Sequence, residues 1–267
     1  MAHNGRRLRG PLARVWTALI LLATPAFAHA EPQSSGSAQP VIGAPANPDF
    51  LIGRPRVSVG FRGGWLTASA GSDFFDFVTD QLTLEKSNFN TASFGGEFSV
   101  NLTSRADLLL GFDLNRSRTP SEYRHFIDNR GQPIEQTTEL SQNNLTASVK
   151  FAVLPKGRAV SRLAWIPRTV VPYVGAGAGL GKYKFSQTGD FVDFTDNGVF
   201  SDVFRSEGWT PLAHAFGGVD VRVLRHMLVS FEGRYQWSTA ELAQDFVGFD
   251  PIDLGGLKFG VGVHFVF

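Results

Sequence analysis

The amino-acid sequence predicts an all-β fold, a closed antiparallel transmembrane β-barrel of about eight strands spanning residues 54–267. Three observations predict it. Apolar and polar residues alternate with period two, connections alternate between short and long, and acidic and basic residues segregate to opposite ends of the strands. The chain of 267 residues has no cysteine, 29 glycines, 12% aromatic residues and a net charge of +1. Without cysteine there is neither a disulfide framework nor a thiolate metal site. A mean hydropathy of −0.05, with no long apolar segment after the leader, excludes a helical membrane protein. A charge so near zero argues against nucleic acid as a partner, which usually calls for a strongly basic domain.

Residues 1–30 read as a signal peptide. Arg6, Arg7, Arg9 and Arg14 form a basic leader, an apolar run follows from Val15 to Phe27, and small-residue cleavage sites stand at Ala26-Phe27-Ala28 and Ala28-His29-Ala30. The run is too short for a bilayer span, which needs about 20 residues. The residues around Arg6-Arg7 fit twin-arginine export poorly, so the general secretory route is expected. Residues 31–53, with Pro32, Pro40, Pro45 and Pro48 among Ser, Gly, Ala and Gln, read as a flexible periplasmic lead-in.

From Arg54 onward the strands follow in order. Val57, Val59, Phe61 and Trp65 oppose Ser58 and Arg62. Phe94, Phe98, Val100 and Leu102 oppose Ser93, Glu97, Ser99 and Asn101. Leu108, Leu110, Phe112 and Leu114 oppose Asp107, Asp113 and Asn115. Leu145, Ala147, Val149, Phe151 and Val153 oppose Thr146, Ser148 and Lys150. A fifth, glycine-rich segment from Val171 to Phe185 shows no clear lipid face. The sixth, from about Trp209, sets Val219, Val221 and Val223 against His214, Asp220 and Arg222. Met227, Val229, Phe231, Tyr235 and Trp237 oppose Ser230, Glu232, Arg234, Gln236 and Ser238. The last sets Leu257, Phe259, Val261, Val263, Phe265 and Phe267 against Lys258, Gly260, Gly262, His264 and Val266. Strict alternation means two different solvents on the two faces; in a transmembrane barrel these are lipid outside and a polar lumen inside. A soluble periplasmic β-sandwich is the competing architecture.

The connections at Thr103-Ser104 and Leu224-Arg225-His226 are tight, whereas 70–88, 118–138, 187–208 and 239–252 read as long polar loops. That alternation is what outer-membrane barrels show. The connection 155–170 breaks the pattern. Pro155, Lys156, Arg158, Arg162, Trp165 and Arg168 give it a basic side and an apolar side, and it either lies on the inner leaflet interface or is an ordinary insertion. Asp73, Asp76, Asp80, Asp190, Asp193, Asp196, Asp202, Asp245, Asp250 and Asp253 fall at the long-loop end. Arg105, Lys156, Arg158, Arg162, Arg168 and Arg225 fall at the other.

Phe267, with Phe265, Val263, Val261 and Phe259 at every second position before it, resembles the C-terminal signal of outer-membrane barrel proteins. Together with the leader, the alternation and the loop pattern, the chain resembles the small barrel family of OmpA/OmpX and OmpW type over about residues 54–267. The resemblance implies eight strands, the outer membrane of a Gram-negative-type cell with both termini periplasmic, and recognition of Phe267 by the barrel-insertion machinery. It implies no single function.

No catalytic, cofactor or metal site is expected. Arg62, Glu97, Asp113, Lys150, Asp220, Glu232, Arg234 and Lys258 are assigned to the lumen, which side chains just fill in so narrow a barrel. Charges there must be paired or hydrated, so they form either a salt-bridge plug or a gated polar path. His214 and His264 point inward, but the residues two positions on, Phe216 and Val266, are not the serines that a barrel deacylase places there. Ser230 and Glu232 near His264 offer only a loose match to a triad. Asp190, Asp193, Asp196, Asn197 and Asp202 lack calcium-loop spacing. The aromatic run Asp73-Phe74-Phe75-Asp76-Phe77-Val78 is expected to pack against neighbouring loops, or else to touch lipid or a partner. The function expected is therefore non-enzymatic, envelope integrity or surface interaction in contact with outer-membrane lipid and lipopolysaccharide. The alternatives are a narrow channel for small or hydrophobic solutes and, more distantly, a lipid-modifying barrel enzyme.

Overall fold

The computed structural model describes residues 50–267 apart from 129, 194, 196 and 197. The expected signal peptide, and the lead-in up to residue 49, lie outside the described residues. The strands are β1 (Leu51–Ile52), β2 (Val57–Ala68), β3 (Thr91–Asn101), β4 (Ala106–Ile127), β5 (Pro133–Ala152), β6 (Gly157–Ala159), β7 (Ala164–Pro167), β8 (Val170–Val192), β9 (Val199–Leu224), β10 (Met227–Ala240), β11 (Ile252–Asp253) and β12 (Gly256–Val266). Eight of them close into one antiparallel ring, β2-β3-β4-β5-β8-β9-β10-β12, and β12 returns to pair with β2. The eight-stranded closed barrel expected from the alternation is present.

Its polarity is the reverse of a soluble protein's. Phe61 (64% exposed), Phe94 (63%) and Phe259 (59%) face out, whereas Asp113 (3%), His214 (2%) and Arg234 (5%) face in. An apolar exterior around a polar interior is stable only where hydrocarbon is the outer solvent, and closure leaves no unpaired strand edge in it. The glycine-rich β8 obeys the same rule. Val174 and Leu180 face out, while Tyr173, Tyr183 and Phe185 face in.

One expectation about the connections is corrected. Residues 118–138 and 187–208 are not long loops: β4 runs on to Ile127 and β5 begins at Pro133, and β8 runs on to Val192 and β9 begins at Val199. Ladder pairing continues to Ile127↔Pro133 and to Val192↔Val199. These segments are polar on their outer face because they stand beyond lipid, so hydrophobic contrast disappears while the hydrogen-bonded ladder persists. The 23 residues of β8 compare with the roughly 9–11 that cross a bilayer. Four strands thus build a tall wall on one side of the barrel.

The main apolar core lies at this long-hairpin end. Helix α1 (Asp73–Gln81) brings Phe74, Phe75 and Val78 against Phe185, Phe246, Ile252 and Leu254. Phe74 meets Phe185 edge-on at 4.9 Å between ring centroids and Phe246 at 5.5 Å. The aromatic run therefore packs within the molecule, and Phe77 alone of its phenylalanines stays exposed.

At the opposite end, both the start of β2 and Phe267 sit together, with the Phe267 amide donating to the Val57 carbonyl at 2.9 Å. The 155–170 connection is folded there. β6 and β7 pair with each other, and β7 pairs with β1 through Leu51↔Trp165. β1 thus lies inside the segment expected as flexible lead-in, before Arg54, and is paired.

Candidate functional site: a charge-paired lumen

All eight charged residues assigned to the lumen face it, and each has a partner. The alternation puts every second side chain of each strand inside, and the register decides which of them meet. Arg62 on β2 donates to Asp113 on β4 at 2.9 and 3.0 Å and to Glu97 on β3 at 3.0 Å. Lys150 on β5 donates to Asp220 on β9 at 2.7 Å. Arg234 and Glu232, two apart on β10, pair at 2.9 Å. The Lys258 ammonium lies 3.8 Å from the Asp113 carboxylate. Among these eight, four cations meet four anions, so the central lumen carries no net charge to concentrate one sign of ion.

Two elements of this network were not read from sequence. Tyr173, in the segment whose faces looked alike, donates its hydroxyl to Glu232 at 3.1 Å and lies under the Lys150 ammonium, 3.7 Å from the ring centroid. Lys156, from the folded connection below the barrel, reaches up to the buried Asp107 carboxylate and to Asn101 Oδ1 at 3.2 Å. Burial holds the Lys156 ammonium below the usual lysine range, with Asp107 opposing that shift. The basic connection with a single buried tryptophan, Trp165, was the available signal.

Little space remains. A central cavity of about 40 Å³ is lined by Glu97, Lys150, Glu232, Lys258 and His264 among others. A second, of about 50 Å³, lies toward the short-turn end beneath Trp165 and Lys156. At roughly 10–15 Å³ per water, each holds a few waters and no organic solute. Above them Asn144 donates to Gln236 at 3.0 Å across the lumen, and then the aromatic core closes the long-hairpin end.

The histidines each meet a serine. His264 Nε2 lies 2.9 Å from Ser230 Oγ and His214 Nε2 lies 2.8 Å from Ser148 Oγ. Ser230 thus does approach His264 across the wall, as the alternation allowed, while Glu232 does not. Among the described residues, however, no carboxylate pairs with either ring, and Nδ1 of His214 makes no hydrogen bond. Glu232 is turned instead to Tyr173 and Arg234. A nucleophilic serine needs a base that a third group orients beside room for an acyl group, and neither dyad has both. Of the calcium-loop candidates, Asp196 and Asn197 lie outside the described residues. Asp193 caps the Thr195 amide at 2.8 Å and Asp202 caps the Val203 amide at 2.7 Å. Among the described residues no group of three acidic or histidine side chains is placed to hold a metal.

Exterior, register and lumen define a class, the small membrane-spanning β-barrel with a filled interior. The structure is similar to Neisserial surface protein A (10% identity, TM-score 0.45, covering 79% of this chain and 96% of that one). It is also similar to outer membrane protein OprG of Pseudomonas aeruginosa (12% identity, TM-score 0.44, 81% and 99%) and to Ail, the attachment invasion locus protein of Yersinia pestis (15% identity, TM-score 0.37, 80% and 100%). The likeness is one of architecture. No protein-family model matches the sequence, and no curated protein does.

Proposed function

We propose that this chain is a non-enzymatic barrel of the outer membrane whose closed body contributes to envelope integrity and whose tall hairpins carry surface interactions. The observation that supports this reading is the lumen. Its eight central charges are paired four against four, its two cavities of about 40 and 50 Å³ have room for a few waters, and the aromatic core lies at one end and the β1-β7-β6 sheet at the other. In this reading the tight-turn end, with both strand termini, faces the periplasm, the acidic hairpin end faces outward, and Phe267 is the element that insertion machinery recognises.

The test is conductance of the refolded protein in a planar bilayer, with insertion checked separately. A silent bilayer is expected. Discrete openings altered by Glu97→Ala or Arg234→Ala would overturn the closed-body reading in favour of a narrow channel.

A further inference from the structure

On the outer face of the tall wall, strand register stacks a set of cations just above the apolar belt. Following the outward residues upward, Leu145 and Leu180 stand opposite each other and are exposed to lipid, and the character changes from the next rung, which holds Leu114, Asn143 and Lys182. Lys182 stands opposite Trp209 on β9 and opposite Asn143 on β5. One rung higher, Arg116 pairs in register with Ser141, Ser141 with Lys184, and Lys184 with Glu207 on β9, so three cations and one carboxylate of these rungs stand beside Ser141 and Asn143. Arg118 follows on the rung above, opposite Glu139.

Trp209 fixes the level. It is 62% exposed and points outward, and tryptophans on the exterior of membrane proteins settle at the headgroup layer. Its register partner Lys182 is therefore at headgroup depth, with Lys184, Arg116 and Arg118 immediately beyond it. Arg116 is held by Glu139 at 2.8 Å. Arg118, Lys182 and Lys184 form no ion pair among the described residues. The feature belongs to one sector only, because the cations of β2, β10 and β12 within the barrel (Arg62, Arg234 and Lys258) all point into the lumen.

We infer that Lys182, Lys184, Arg116 and Arg118 form a docking site for an anionic, phosphate-bearing lipid headgroup of the surrounding leaflet. The occupant follows from position and charge. The patch is continuous with the lipid-facing wall, so its neighbour is a lipid, and a guanidinium beside flexible ammoniums suits phosphate oxygens. The inference deepens the proposed reading, since it needs the barrel to sit in a membrane.

The experiment uses the chain refolded into phosphatidylcholine vesicles carrying a trace of either dansyl-phosphatidic acid or dansyl-phosphatidylcholine. Energy transfer from Trp209 is isolated by difference with Trp209→Phe. Stronger transfer to the anionic lipid is expected, and each cation removed at the surface lowers that preference by about fivefold. Lys182→Gln with Lys184→Gln should abolish most of it, while Arg158→Gln with Arg162→Gln, at the other end, should leave it intact. Equal transfer to both lipids, or equal losses from both variant pairs, would overturn the inference and leave the barrel reading standing. Failure of the chain to resist alkaline carbonate extraction from the vesicles would overturn both.

Discussion

Arg62 grips Asp113 with two parallel hydrogen bonds, Nε at 3.0 Å and Nη2 at 2.9 Å, although β3 lies between their strands. The pair is a brace across the wall as well as a neutralised charge. Both side chains are nearly shut off from solvent. Removing one partner strands the other in a water-poor interior, which costs about 3–5 kcal/mol.

Arg62→Ala should therefore destabilise the barrel by about that amount, since it strips Glu97 of its hydrogen-bonded cation and leaves Asp113 only Lys258 at 3.8 Å. Urea unfolding in detergent micelles measures the loss. A change below about 1 kcal/mol would mean the lumen is wet enough to solvate both carboxylates.

Phe74→Ala should cost about 3–5 kcal/mol locally, because the ring is fully buried among Phe185, Phe246 and Phe75. The barrel ring itself should survive. Limited proteolysis should then cut within 70–88 while the heat-stable mobility of the folded barrel on a gel is retained.

Tyr173→Phe removes one hydroxyl and its bond to Glu232 and leaves the ring under Lys150. A loss of about 0.5–1.5 kcal/mol is expected. Tyr173→Leu should cost more, since it also removes the face on which the ammonium rests. Equal losses from the two variants would show that the ring contributes nothing.

Ser230 should be inert. A fluorophosphonate probe is expected to leave the folded chain unlabelled, and Ser230→Ala should change stability alone, as among the described residues no carboxylate pairs with His264 to orient it. Labelling lost on Ser230→Ala would reopen the case for a lipid-modifying enzyme.

Much of this architecture was legible because a barrel wall separates two solvents, and alternation such as Phe259, Val261, Val263 against Lys258, Gly260, Gly262 records both. Legibility failed where that contrast fades. In β8 the inward Gly175, Gly177 and Gly179 face outward Ala176 and Ala178, so neither side looks apolar. The glycines are there for space: a Cβ on Gly179 would sit 2.0 Å from the Leu145 carbonyl oxygen. It failed again past the hydrocarbon layer, where residues 118–138 lose their apolar outer face and strand looked like loop. The lumen residues were identifiable one by one, but their partners were not, because Lys150 finds Asp220 only through the registers β5-β8-β9. The contact of Lys156 with Asp107 depends on a connection doubling back, which no periodicity announces.

The tall wall has a topological consequence. Its hairpin tips carry Asp128, Arg130 and Asp193, and each tip is threaded to one side of the bilayer by strands with the whole ring closed around them. An arginine at mid-bilayer costs about 2–4 kcal/mol on a barrel's lipid face, and an aspartate less. Pulling the two tips back would carry several such charges through hydrocarbon together while the ladder comes apart. The hairpins therefore act as barbs: once through, the barrel is latched in one orientation, and escape by simple withdrawal is too slow to matter.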